Sequence, residues 1–325
     1  MKKRTLTFYT VTLLLLGVTF LISLMIGKYP VTPAMLFRNE NAMAVRVFWT
    51  LRLPRVLMAF VAGFALSFAG SIYQTLFRNP LAAPDIIGVS SGASAGAAVG
   101  ILFMGGSMWA VMGSSFLGGF LAVLLALGLT RIAAGRQIAT FVLAGVAINA
   151  ISQAILMLLK LSADPEKQLA SIEYWTMGSF ASITDTKLLT ILPFAAVAVL
   201  GLVLLRRQIS LLAMDSEYVT MLGVPVASMR RLILLLATLL VASVVCVTGL
   251  IYFIGLIAPH LARLMLKSNR FSTMVYSGLL GSLILLVADC VARGFTIGEV
   301  PVSVVTSLIG APFLIYLICR KEKIA

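Results

Sequence analysis

The sequence predicts an all-α, polytopic membrane protein with about ten transmembrane helices and both termini in the cytoplasm. Three observations lead there. Hydrophobic residues make up 61% of the 325 residues and charged residues only 11%, against about 25% charged in soluble domains. The apolar residues fall in runs long enough to span a bilayer, which takes about 20 residues per helix. The basic residues cluster at the ends of those runs, so the net charge of +14 marks cytoplasmic flanks of membrane helices. A nucleic-acid surface would instead show a basic stripe interleaved with aromatics, and none is present.

The first run follows Met1-Lys2-Lys3-Arg4 and extends to Gly27. It is longer than the roughly 7–15 apolar residues of a signal peptide, and no small-x-small cleavage site follows. A retained first helix entering from the cytoplasm is therefore expected. Apolar runs between charged or Pro/Gly-containing breaks predict helices over 5–27, 54–76, 86–104, 109–130, 138–160, 187–205, 231–249, 251–267, 273–292 and 299–319. An even number places both termini on one side, and the basic ends Lys2-Lys3-Arg4 and Arg320-Lys321-Lys323 make that side cytoplasmic. Sixteen of the 25 Lys and Arg then lie inside, the bias that the positive-inside rule expects.

The eighth run is the least regular. Pro259 sits within it and disfavours continuous helix, so a broken or re-entrant segment stays open. Residues 1–325 read as a single transmembrane domain. Residues 161–186 form an external connection with a short helix around Tyr174 to Phe180. Residues 206–229 form the longest cytoplasmic connection, in which Leu211, Leu212, Met214, Tyr218, Met221 and Leu222 carry a helical period. Arg55 precedes Ala83-Pro84 by the same offset as Arg230 precedes Ala258-Pro259, which would suit an inverted repeat.

Cys246, Cys290 and Cys319 are scattered without C-x-x-C spacing and read as buried thiols. His260 is the only histidine and, without partner ligands, gives no metal site. No catalytic set of nucleophile, acid and base is clustered. Gly88, Gly92, Gly96 and Gly100 stand four apart, which leaves one helix face nearly bare. Such a ridge serves close helix packing or, less often, a substrate path. Asp289 and Arg293 are four apart and can pair on one helical face, as expected for a carboxylate inside a membrane.

Seven strings carry a resemblance. Arg52-Leu-Pro-Arg55 is followed by Gln74-Thr-Leu-Phe-Arg78-Asn79-Pro80-Leu81-Ala-Ala-Pro84-Asp85-Ile-Ile-Gly88-Val-Ser-Ser-Gly92. Further on come Leu143-Ala-Gly-Val-Ala147, Gly255-Leu-Ile-Ala-Pro259-His260-Leu-Ala-Arg263, Ala288-Asp289-Cys-Val-Ala-Arg293, Glu299-Val-Pro301 and Gly310-Ala-Pro312. Together they resemble the permease subunits of the ABC importers that take up iron-siderophores, haem and cobalamin, the FecCD-type, type II importers, over nearly the whole chain.

The resemblance implies a bacterial cytoplasmic-membrane, multi-pass subunit paired with a second copy or a paralogue. Two separate ATP-binding subunits and an extracytoplasmic substrate-binding protein would complete the assembly, with membrane lipid around it and a chelated metal as cargo. This chain would bind no cofactor, and ATP and Mg would be used by the partner ATPase. Consistently, no G-x-x-x-x-G-K-[ST] phosphate loop occurs. Glu217 and Gly223, six apart, match an abbreviated form of the importers' ATPase-coupling motif, with Tyr218-Val219 in place of its alanines; with Asp215, Ser216, Tyr218 and Leu222 they make the candidate coupling segment, the alternative being an unpartnered amphipathic loop.

The same resemblance makes Arg52, Arg55 and Arg293 candidates for docking the binding protein, with snorkelling lipid anchors as the alternative. It makes Asn79, Leu81, Asn149, Ser152, Gln153, Ser303, Thr306 and Ser307 candidates for lining the pathway. Polar side chains in membrane helices also serve as interhelical hydrogen-bond partners. Iron(III)-siderophore is the expected cargo, with haem, cobalamin or an oxyanion such as molybdate as alternatives. A secondary transporter or an intramembrane enzyme fits less well, for want of coupling carboxylates or of a catalytic cluster.

Overall fold

The computed structural model describes residues 2–32, 35, 41–132, 138–214, 216–221, 223–294 and 299–319. Among them are ten apolar helices of 13 residues or more: α1 (Lys2–Met25), α2 (Leu53–Leu76), α3 (Val89–Phe103), α4 (Met108–Ile132), α5 (Ile138–Leu161), α6 (Asp185–Leu204), α7 (Val226–Thr248), α8 (Ile254–Leu266), α9 (Phe271–Gly294) and α10 (Val302–Cys319). Each answers to one of the ten apolar runs. Seven are long and apolar enough to cross a membrane, and α3, α8 and α10 are shorter apolar helices. At 13 residues, α8 is about 20 Å long, short of the roughly 30 Å hydrocarbon core.

Pro259 does not break α8, which runs continuously through it. The proline falls in the second turn, where it forfeits only one bond, to the Gly255 carbonyl. The irregular stretch lies just before, between Gly249 and Phe253, both at positive φ. Pro84, by contrast, opens a short 3₁₀ turn ahead of α3. The equal offsets seen in the sequence thus lead to different local structures.

The helical segment in the connection expected to be external also starts earlier than the sequence suggests, at Pro165, and runs to Thr176. Asp164 caps it by accepting from the Glu166 N–H at 2.9 Å, and Pro165 takes the first helical position, where its missing N–H costs nothing. That Asp-Pro signal was legible in the sequence.

The chain divides into two compact units, one of residues 1–68, 177–190 and 251–325, the other of residues 69–176 and 191–250. In the first, α1 lies on α9, with a hydrogen bond of 2.8 Å between the Thr12 and Tyr276 hydroxyls. The outer half of α2 approaches α9 at Gly63 and Gly281, so closely that a Cβ at Gly63 would lie 2.5 Å from the Gly281 carbonyl oxygen. Ser282 seals the contact by donating to the Phe60 carbonyl at 2.8 Å. Ala258, Ala262 and Leu266 of α8 pack with Tyr276 and Leu280 of α9.

In the second unit the glycine ridge does what its spacing allows. Gly92, Gly96 and Gly100 of α3 meet the backbone of α4 at Gly118, Ser114 and Ala110. Gly145 of α5 is seated against Ile86 and Ile87. The inner end of α2 is tied to α7 by a 3.0 Å hydrogen bond between Tyr73 and Thr238.

Candidate functional site

The outer ends of α1, α2 and α9 converge on a buried charge network within the first unit. Asp289, fully buried, is held 2.9 Å from Arg55 Nη2 and 2.9 Å from Arg293 Nη2. Arg55 reaches on to Glu299 at 2.8 Å. Arg293 also donates to the carbonyls of Ile26 (3.0 Å) and Ser23 (3.1 Å) and to the Ser23 hydroxyl (2.7 Å). Arg52 donates to the carbonyls of Leu24 (2.9 Å), Met25 (2.7 Å) and Tyr29.

These acceptors explain the arginines. The last carbonyls of a helix have no intrahelical donor and carry the negative end of its dipole. Arg52 and Arg293 therefore act as C-terminal caps for α1, supplied from elsewhere in the chain. A π-helical turn at Phe48–Arg52 leads into α2, and its i→i+5 bonding puts more residues in that turn than an α-helix would. Gly27 leaves room for the contact, since a Cβ there would lie 2.9 Å from Arg52 Nη2.

The three arginines expected to dock the binding protein are buried side chains. Arg52, Arg55 and Arg293 are only 5%, 8% and 7% exposed, and their donors are committed to carboxylates and carbonyls of the same chain. The Asp289–Arg293 pair expected from the i,i+4 spacing is present, but it holds Arg293 inward on α1. Sequence reasoning assigned no role to Glu299 or Ser23. A hydroxyl within the apolar run around Ser23 offered no signal of its own.

The pathway candidates separate into two groups. Ser303 donates to the Met177 carbonyl and Thr306 to the Ser303 carbonyl, the latter at 3.1 Å, and both are buried. Asn79 accepts from the Leu81 N–H at 2.9 Å, an Asx-type turn at the inner end of α2, and Leu81 beside it is exposed. Ser152 lies in the single stripe through which α5 is buried, together with Phe141, Gly145, Ile148 and Leu156.

Asn149, Gln153 and Ser307 differ: they are half-buried or exposed, and none has a hydrogen-bond partner among the described residues. Leaving a side-chain amide unsatisfied in hydrocarbon costs about 4–8 kcal/mol. Faces carrying such groups are suited to water or to another polypeptide, not to lipid tails.

In the connection expected to be cytoplasmic, short helices at Arg206–Leu212 and Ser216–Met221 precede α7. Ile209, Leu212 and Val219 are buried and anchor them, while Tyr218 and Met221 stand 56% and 83% exposed. Gly223 ends the second helix at φ +78°, its N–H donating to Thr220, the left-handed position that favours glycine. Asp215 and Leu222 lie outside the described residues, as do the side chains of Ser216 and Glu217. Nearby in the same unit, Arg230 buries Nε and Nη2 and Gln208 buries Oε1 without partners among the described residues. Gln208 was not singled out from the sequence, and Arg230 only for its offset from Ala258-Pro259.

No group of three or more metal-ligating side chains occurs among the described residues. His260 stacks edge-on to Phe313 of α10 at 6.2 Å.

The FecCD transport family matches residues 14–320. The molybdate import system permease protein of Haemophilus influenzae is 35% identical over 95% of this chain and 94% of its own. The iron(3+)-hydroxamate import system permease protein of Bacillus subtilis is 33% identical over 95% and 96%. A solved structure of a metal-chelate type ABC transporter in an inward-facing conformation superposes with a TM-score of 0.85 at 34% identity, covering 97% of this chain and 99% of the other.

Proposed function

Because the chain belongs to the FecCD transport family and is an ABC importer permease of the bacterial cytoplasmic membrane, working with a permease partner and separate ATPase subunits, we propose that its cargo is an iron(III)-siderophore-type chelate. The observation that carries this reading is the close match over almost the full chain to a metal-chelate type transporter. The unpartnered groups on α5 and α10 support it. Asn149, Gln153 and Ser307 are neutral, and no charged residue lies in α10 or in α5 before Lys160. Neutral amides and hydroxyls hold a large, multiply hydroxylated chelate by dispersed hydrogen bonds and release it readily. An oxyanion is the second reading, favoured by the likeness to the molybdate permease.

A substrate-binding protein would deliver the cargo from outside, onto the outer ends of α1, α2 and α9. In this proposal Arg52, Arg55 and Arg293 serve docking indirectly, by fixing the three helix ends that form the receiving surface. On the inner side, Tyr218 and Met221 would seat in a groove of the ATPase, Asp215, Ser216, Glu217 and Leu222 would complete that segment, and an acidic partner group would satisfy Arg230.

The test is uptake by the importer reconstituted in liposomes with its binding protein and ATPase, offered either labelled ferric siderophore or labelled molybdate. ATP-dependent accumulation of the chelate is expected. Accumulation of molybdate alone would overturn the cargo assignment in favour of the oxyanion.

A further inference from the structure

At the cytoplasmic end of the first unit, α1, α8 and α9 enclose a cleft of about 570 Å³, a size typical of small-molecule sites. Its two sides differ in chemistry. Leu6 and Leu13 of α1 and Leu266 of α8 form an apolar wall, and Leu6 and Leu13 are 69% and 50% exposed, so the wall continues into the outward face of α1. The opposite side is the start of α9, where Arg270 and Thr273 line the cleft. Arg270 is exposed and has no hydrogen bond or ion pair among the described residues. Thr273 is 2% exposed, yet its hydroxyl has no partner either. The first turn of this 24-residue helix carries no acidic residue, so the positive end of its dipole is uncompensated.

An unsatisfied buried hydroxyl, a free guanidinium and an uncapped helix start on one side of a cleft call for an anion. The apolar wall across from them calls for hydrocarbon. We propose that the cleft binds an anionic phospholipid of the inner leaflet, its phosphodiester between Arg270 and the first turn of α9 and its acyl chain along Leu6 and Leu13. Basic pockets between membrane helices on the cytoplasmic side are suited to such head groups. A free phosphate would satisfy the donors but leave the apolar wall unfilled. A bound lipid would brace α1 against α9, beside the existing hydrogen bond from the Tyr9 hydroxyl to the Ser272 carbonyl.

The full-length protein, purified in a mild detergent, tests this by native mass spectrometry and thermal unfolding with phosphatidylglycerol, phosphatidylcholine or inorganic phosphate as probe. Selective retention of phosphatidylglycerol and a rise in Tm with it are expected. Arg270→Gln, at an exposed position, should weaken phosphatidylglycerol binding about tenfold, the worth of a charge-assisted hydrogen bond. Thr273→Val keeps the side-chain shape and removes the unsatisfied hydroxyl. It should be at least as stable as wild type without lipid and gain less from adding it. The proposal is overturned if phosphatidylcholine is retained as well as phosphatidylglycerol, or if both variants keep wild-type retention. It is equally overturned if millimolar inorganic phosphate raises Tm as much as the lipid does, which would make the cleft a free-anion site.

Discussion

Asp289 is the residue on which the outer network turns. It is fully buried and neutralises two arginines that are themselves nearly inaccessible. Removing one member of a buried charge set leaves the others uncompensated and costs about 3–5 kcal/mol. Asp289→Asn is therefore expected to lower the unfolding midpoint in detergent sharply and to reduce the amount of folded protein in the membrane. Glu299→Gln should do far less, within the roughly 0–1 kcal/mol of solvent-screened pairs, because the Glu299 side chain is 32% exposed. Equal losses in the two variants would show that burial does not govern the network. The same reasoning applies to charge reversal at Arg52 or Arg55. It would disturb folding before it disturbed docking, so a transport defect in such variants needs a stability measurement beside it.

At the scale of elements, close packing and helix termination can be tested separately. A methyl at Gly96 would meet the Ser114 carbonyl and lie 3.1 Å from Ser115 Cα. Backbone cannot yield as a flexible side chain would, so Gly96→Ala should cost about 1–3 kcal/mol by forcing α3 away from α4. Gly17→Ala on α1, where nothing lies within 4 Å, is the matched control and should be neutral or slightly stabilising in thermal unfolding.

Gly223 is limited by conformation instead, since no atom lies near its absent side chain. Gly223→Val places a β-branched residue at positive φ, a strain of about 1–2 kcal/mol, and should misdirect the segment after Met221. Gly223→Asn, which tolerates that region, should retain most function. The measurement is recovery of the ATPase with the permease from solubilised membranes. Recovery of the valine variant at the wild-type level would remove the segment from the coupling interface.

For the whole molecule, the prediction concerns division of labour. The chain carries no phosphate loop, and permeases of this family work with separate ATPase subunits. The purified permease alone is expected to hydrolyse no ATP. In the reconstituted importer, replacing both Tyr218 and Met221 with Asp should leave insertion intact while breaking the link between ATP hydrolysis and uptake. These side chains are exposed in the permease, and placing carboxylates there penalises only a surface that becomes buried against a partner. Normal coupled uptake in that double variant would place the transmission contact elsewhere.

The sequence alone determined where the ten apolar helices run, to within a few residues, and the family. Each of these depends on local information: the length of an apolar run, the charges at its ends, the order of short motifs. The Gly92-Gly96-Gly100 ridge and the Asp289–Arg293 pair were legible for the same reason, because helical period alone brings their members to one face. Tertiary structure decided what the outer arginines do. Arg52 caps carbonyls 27 and 28 residues away, Arg55 reaches carboxylates 234 and 244 residues away, and Arg293 reaches Ser23 across 270. No periodicity links such positions. Sequence could mark these arginines as out of place under the positive-inside rule, but only the fold supplied the carboxylate and helix-end acceptors that favour them there.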